Sequence, residues 1–138
     1  MIKLIVGTKG SGKTKTLIDM INEATKTSAG NIVVIEKSMK LTTEINHKAR
    51  LLDVDEYDIN GAQMLYGFVA GVLAGNYDIT HIFVDATLKI GGRDYEAFAL
   101  MVDKLNKLSA ASHVEITFTV SCSVEELPER LHEMVINK

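Results

Sequence analysis

The stretch Gly7-Thr8-Lys9-Gly10-Ser11-Gly12-Lys13-Thr14 constrains the fold of this chain more than any other. It follows the apolar run Ile2-Lys3-Leu4-Ile5-Val6. It precedes a segment, Thr14 to Thr25, in which Leu17, Ile18, Met20, Ile21 and Ala24 recur at helical spacing. A strand, a tight glycine-rich turn and a helix are therefore predicted in immediate succession. The glycines permit backbone conformations that a Cβ penalises, so successive N–H groups can turn toward one point. A glycine, four residues and then Gly-Lys-Thr is the spacing of a loop that cradles phosphate. In that pattern Lys13 sets its ammonium against the β- and γ-phosphates and the Thr14 hydroxyl ligates Mg²⁺. The helix then presents its positive N-terminal end to the anion. A plain glycine-rich hairpin does not require Lys-Thr followed by an amphipathic helix.

The rest of the chain repeats the alternation. Ile32-Val33-Val34-Ile35 is a continuous β-branched run of the kind found in buried parallel strands, and it ends at Glu36. Lys37 to Lys48 is polar, a short strand is predicted at Arg50 to Val54, and Asp55-Glu56-Tyr57-Asp58 reads as an acidic turn. Asn60 with Gln63 makes a capping-box signature for a helix running to about Ala74, where Gly75-Asn76 stops it. His81-Ile82-Phe83-Val84-Asp85 is the next strand. After a loop containing Gly91-Gly92-Arg93, Asp94 caps a helix to about Leu108, with Phe98, Met101, Val102, Leu105 and Leu108 on its buried face. The last strand is Val114 to Val120. Ser123 with Glu126 is a second capping box, opening a final helix that contains Leu127, Leu131 and Met134. Strands alternating with helices at this spacing imply an α/β fold with a parallel sheet.

Composition narrows the class. At 138 residues the expectation is a single domain over 1–138, with little room for a separate substrate domain. A hydrophobic content of 46% with 24% charged residues is that of a globular protein. The net charge of −3 exerts no global pull toward nucleic acid or an anionic membrane. Cys122 stands alone, which removes a disulfide framework and a cysteine metal site and fits a reduced compartment. The chain opens on a core strand, and the glycine-studded apolar stretch from Ala62 to Ala74 is too short to span a bilayer, so a cytoplasmic protein without membrane insertion is expected. Gly67, Gly71 and Gly75 form a smooth helical stripe suited to close packing on the sheet or, as a second use, on another subunit. The histidines, at 47, 81, 113 and 132, lack metal-ligand spacing and read as surface or strand-end residues.

On Gly7 to Thr14, and on the order of strands and helices along nearly the whole chain, the sequence resembles the P-loop NTPase superfamily. More distantly it is similar to small stand-alone bacterial P-loop proteins described as ATP-binding or twitching motility proteins. The resemblance implies a three-layer α/β/α fold holding ATP and Mg²⁺ against Gly7, Thr8, Lys9, Gly10, Ser11, Gly12, Lys13 and Thr14. It also implies a second carboxylate, at the tip of a neighbouring strand, that holds Mg²⁺ through water. Asp85, ending Ile82-Phe83-Val84, suits that role better than Asp55 or Glu56, whose bland reading is a solvated acidic loop.

Asp85 is followed by Ala86, where many ATPases place a catalytic Glu. RecA-like domains carry that Glu instead at the tip of the strand after the P-loop helix. The order here is similar, so the resemblance makes Glu36 the water-orienting group; the other reading is a strand-end charge facing solvent. Ser121, and less so Thr87, can sense the γ-phosphate as strand-tip polar residues do in related ATPases. Arg93 can donate charge to a phosphate in its own chain or a neighbour's, or serve as an ordinary loop arginine. Lys37, Lys40, Lys48, Arg50 and His47 form a basic segment, but without interleaved aromatics and with Glu44 inside it a solvated surface is favoured over nucleic-acid contact.

Guanine specificity is unsupported, because Asp85-Ala86-Thr87-Leu88 lacks the switch glycine and Asn106-Lys107-Leu108-Ser109 ends in Ser inside a helix. Adenine nucleotide follows by elimination. A thymidine-kinase likeness is weakened by the single Cys, and a small-molecule kinase lid by the presence of only Arg50, Arg93 and Arg130. Three functions are consistent with these residues. The first is an ATPase that hydrolyses slowly or when a protein partner or self-association completes its site. The others are a nucleotide-dependent switch without turnover and a small phosphotransferase.

Overall fold

The computed structural model describes residues 1–38, 41 and 43–137. Among them, β1 (Ile2–Val6), β2 (Asn31–Glu36), β3 (Ala49–Asp53), β4 (Ile79–Val84) and β5 (Glu115–Val120) form one sheet in the order β1-β5-β4-β2-β3. Every neighbouring pair is parallel. The helices are α1 (Lys13–Thr27), α2 (Ala62–Gly75), α3 (Thr87–Gly91) and α4 (Tyr95–Ser112).

Parallel neighbours must be joined by crossovers, and the crossovers here lie against both faces of the sheet. On one face Leu17, Ile21 and Ala24 of α1 pack with Ile5, Ile32, Val34 and Phe83. On the other, Leu65 and Val69 of α2 and Phe98, Val102 and Leu105 of α4 pack with Ile35, Ile82, Val84, Ile116 and Phe118. Phe98 meets Phe118 edge-on with ring centroids 6.1 Å apart. Burying a Leu or Ile of this kind contributes about 1.5–3 kcal/mol, so α1 is held mainly by its inner stripe. The result is an α/β protein with helices on both sides of a five-stranded parallel sheet, an arrangement compatible with three layers.

Double cover explains the strand sequences. β2 is buried from Ile32 through Glu36, and in β5 the polar partners Thr117 and Thr119 are buried along with Ile116, Phe118 and Val120. No helix among the described residues is long and apolar enough to cross a membrane.

Four local expectations are corrected. The capping box of Asn60 and Gln63 does not form: α2 starts after Gly61, with no side-chain cap, and Gly61 N–H donates to the Ile90 carbonyl at 2.8 Å. The glycine stripe of α2 does not pack on the sheet, because a Cβ at Gly67, Gly71 or Gly75 would meet nothing within 4 Å. Gly67 lies about 200° around the helix from Leu65, which takes the inward side. The segment after Asp85 contains α3, a five-residue helix too short for periodicity to reveal, with Thr87, Leu88 and Ile90 buried. Lastly, the final helix is two 3₁₀ turns, Val124–Glu126 and Glu129–Met134, because Pro128 between them has no N–H to continue a helical ladder. Ser123 N–H and its hydroxyl both reach Glu126 Oε1, at 3.0 and 3.1 Å.

Candidate functional site

The turn between β1 and α1 has the geometry its glycines require. At Gly7 a Cβ would lie 2.2 Å from Ser11 Oγ, so the loop closes on itself where only hydrogen fits. Gly12, with φ of 88°, turns into α1 in the left-handed region as its N-cap. No side chain caps α1 and no acidic residue lies in its first turn, so the amides at this helix start are left to an external acceptor. Lys13 folds back so that its ammonium donates to the Thr8 carbonyl at 3.1 Å.

Beside the loop, the C-terminal tips of the central strands line up. Ile35 lies opposite Val84, and Val84 opposite Phe118, which brings Glu36, Asp85 and Thr119 into one row. The Asp85 N–H donates to the Ile35 carbonyl at 2.9 Å. Thr119 donates its hydroxyl proton to Asp85 Oδ1 at 2.6 Å and accepts from the Ala86 N–H at 2.8 Å. This buried threonine fixes the Asp85 carboxylate. Sequence reasoning passed over it as a polar partner in the alternation of β5, and the only signal available was its place next to the strand tip.

A cleft of about 530 Å³ lies over these tips. Its walls include Lys9, Gly10, Lys13 and Thr14 from the loop and α1, Lys37 and Ser38 after β2, Asp85, Ala86, Leu88 and Lys89 from β4 and α3, and Arg93, Thr119 and Ser121. Five cationic side chains thus surround one carboxylate on a chain of net charge −3. Arg93 donates to the Tyr95 hydroxyl at 3.3 Å and to the Ser121 carbonyl at 3.1 Å, and Tyr95 in turn donates to Glu126 at 3.0 Å. The Ser123 N–H, with Tyr95 and the Ser123 hydroxyl, holds the Glu126 carboxyl below its ordinary range. Burial, with the Glu126 charge, pushes the Cys122 thiol up to about 11, while Arg93 and Lys13 pull against it. Both cations therefore act on the same corner of the molecule.

The comparisons with known proteins add nothing to this picture: no family model matches the chain, and no curated protein matches it.

Of the sequence-predicted residues, Lys9, Gly10, Lys13, Thr14 and Asp85 meet in the cleft, and Gly7, Thr8, Ser11 and Gly12 complete the turn beneath it. Ser121 and Arg93 line it as well. Glu36 is not on its wall. The side chain is 1% exposed, so it does not face solvent, and both carboxylate oxygens accept from the Leu41 N–H, at 3.3 and 3.2 Å. Thr87 is buried, with its hydroxyl toward the Val84 carbonyl at 3.4 Å. Asp55 and Glu56 are exposed and off the cleft, Asp55 pairing with Lys37 at 2.6 Å. In the basic segment Lys37 reaches the cleft, His47, Lys48 and Arg50 are exposed, and Lys40 lies outside the described residues.

Proposed function

We propose that the protein binds ATP with Mg²⁺ in this cleft and hydrolyses it slowly, as a cytoplasmic, three-layer P-loop NTPase of the RecA-like kind. The observation that carries the reading is the meeting of Lys13, Thr14 and Asp85, from different elements, in one cleft beside an uncapped helix start. In this reading the amides of Thr8, Lys9, Gly10 and Gly12 and the α1 N-terminus receive the phosphates, while Ser11 N–H stays on the Thr8 carbonyl at 3.1 Å and Lys13 turns from that carbonyl onto the β- and γ-phosphates. The hydroxyl of Thr14 and the carboxylate of Asp85 are hard oxygen donors, which suits Mg²⁺ shared with phosphate oxygens. Bound there, the ion neutralises charge on the transferred group. β5 separates the loop's strand from that of Asp85, and in this reading the γ-phosphate lies over its tip, where Arg93 is held by the Ser121 carbonyl. A nucleic-acid partner is disfavoured, since the net charge is −3 and the exposed His47, Lys48 and Arg50 have no interleaved aromatics.

One observation favours a second reading, a nucleotide-dependent switch that a protein partner or a second copy reads. The Glu36 carboxylate is engaged by the Leu41 N–H, so water activation by Glu36 requires the segment after β2 to let go. Calorimetry with MgATP on wild type and Lys13→Ala, with phosphate release from the same samples, tests both. Binding and slow release by wild type, with affinity reduced about 100-fold in Lys13→Ala, supports the ATPase reading, since a bond to a charged group contributes about 1.5–3 kcal/mol. Binding without release supports the switch. No binding by wild type overturns both.

A further inference from the structure

Val6 is the last residue of β1 and immediately precedes Gly7, where the turn into α1 begins. On its inner side it is held by the sheet: Val6 lies opposite Val120, and Gly7 N–H donates to the Cys122 carbonyl at 3.0 Å. Its outer side is the edge of the five strands. The C-terminal segment covers that edge. Val135 bridges Leu4 in parallel, and the Ile136 N–H donates to the Leu4 carbonyl at 3.0 Å. At Val6 a side chain replaces the backbone. Asn137 Oδ1 accepts from the Val6 N–H at 3.0 Å, and Asn137 Nδ2 donates to the Val6 carbonyl at 2.7 Å.

A primary carboxamide carries a donor and an acceptor in the geometry of a peptide, so this one side chain satisfies both main-chain groups of Val6. Aspartate would accept but not donate, and an alkyl side chain would do neither. Without Asn137 these two groups would have only water to bond, and the strand end beside the turn would be restrained from its inner side alone. The geometry points to Asn137 as a positioning residue for the phosphate loop. It fixes the main chain of Val6 from the outer edge, as the Cys122 carbonyl fixes Gly7 from the inner one. The direction in which Gly7 leaves the strand is then set before any ligand arrives, and a pre-ordered loop binds more tightly because less ordering accompanies binding. The consequence for affinity rests on the nucleotide reading above; the consequence for loop order does not.

The test uses Asn137→Ala in the 138-residue chain, with Ile136→Ala as control because Ile136 is half-exposed in the same segment and truncating its side chain keeps both amide bonds. Hydrogen exchange at the Gly7 and Ser11 amides, which donate to the Cys122 and Thr8 carbonyls, is measured well below the unfolding midpoint, followed by MgATP calorimetry. Exchange should rise about tenfold at those amides and not in β4 or β5, and the dissociation constant should rise about tenfold, with Ile136→Ala matching wild type in both. Unchanged exchange at Gly7 and Ser11, or a rise spread evenly over the sheet, overturns the inference. If exchange responds as expected but wild type binds no MgATP, Asn137 keeps its positioning role and the nucleotide reading falls. If wild type binds and the variant equals it in exchange and affinity, the inference falls alone. Should Asn137→Ala not fold, the near-isosteric Asn137→Asp, which lacks the donor to Val6, gives the same measurements.

Discussion

The two longest helices begin in opposite ways. Helix α4 starts with Asp94, whose carboxylate accepts from the N–H groups of Glu96 and Ala97 at 3.1 and 3.0 Å, and Glu96 adds a second acid to the first turn. Helix α1 starts with a left-handed glycine, no side-chain cap, no acid in its first turn, and Lys13 as its first residue. One helix carries its own anion; the other leaves its first amides without a side-chain acceptor. The cations divide in the same way. Arg130 is met by Glu96 and Asp103 at 3.1 and 3.2 Å, and Lys3 by Glu115 at 3.1 Å. In the cleft, Lys13 and Arg93 rest on neutral oxygens, the Thr8 and Ser121 carbonyls and the Tyr95 hydroxyl. Arg130 and Lys3 are thus neutralised by carboxylates, whereas of the cleft cations Lys37 alone, among the described residues, is shown on a carboxylate, Asp55, and Lys13 and Arg93 are held by neutral oxygens.

Carrying the α4 solution into α1 should break this contrast most severely. Thr14→Asp sets an acid in the first turn of α1 and removes the hydroxyl assigned to Mg²⁺. MgATP affinity by calorimetry should fall about 100-fold or more, while the unfolding midpoint stays level or rises, because a first-turn acid suits the helix. A smaller change is expected from Arg93→Ala, about tenfold in affinity or in phosphate release, with Arg93→Lys between the two because lysine keeps the charge and loses the fork. Normal behaviour of Arg93→Ala in both assays would remove the arginine from the site. The smallest effect belongs to the converse change. Asp94→Ala should lower stability in denaturant titration by about 1 kcal/mol, the typical loss for an N-cap, and leave nucleotide affinity within about twofold. A loss of affinity larger than the loss of stability would mean that the two helix starts are coupled.

How much of this was legible in advance depends on the range of the interaction concerned. Asp94 was readable as a cap because its partners are two and three residues away. Asp85 was readable as a strand tip because an apolar β-branched and aromatic run leads to it, and the turn from Gly7 to Thr14 because each part of its spacing acts within eight residues. The outward face of the α2 glycines was not readable, since Ala62–Gly75 is apolar nearly all round and its periodicity singles out no inward side until a sheet is present. Thr119 carried no mark of its own; its role exists only because β5 lies beside β4. The burial of Glu36 likewise depends on Leu41 folding back over it.

By itself the sequence determined an alternating α/β chain, the glycine-rich turn after the first strand, and Lys13, Thr14 and Asp85 as its chemically pointed residues. All of these rest on periodicity, caps and short spacings, which act between near neighbours in the chain. Tertiary structure alone decided that β5 inserts between β1 and β4, that Arg93 and Lys89 join the loop lysines over the strand tips, and that Asn137, 131 residues from Val6, closes the edge beside the loop. Strand order and edge pairing are settled by which buried surfaces and unpaired backbone groups find each other once the sheet assembles, and the local pattern carries no record of that choice.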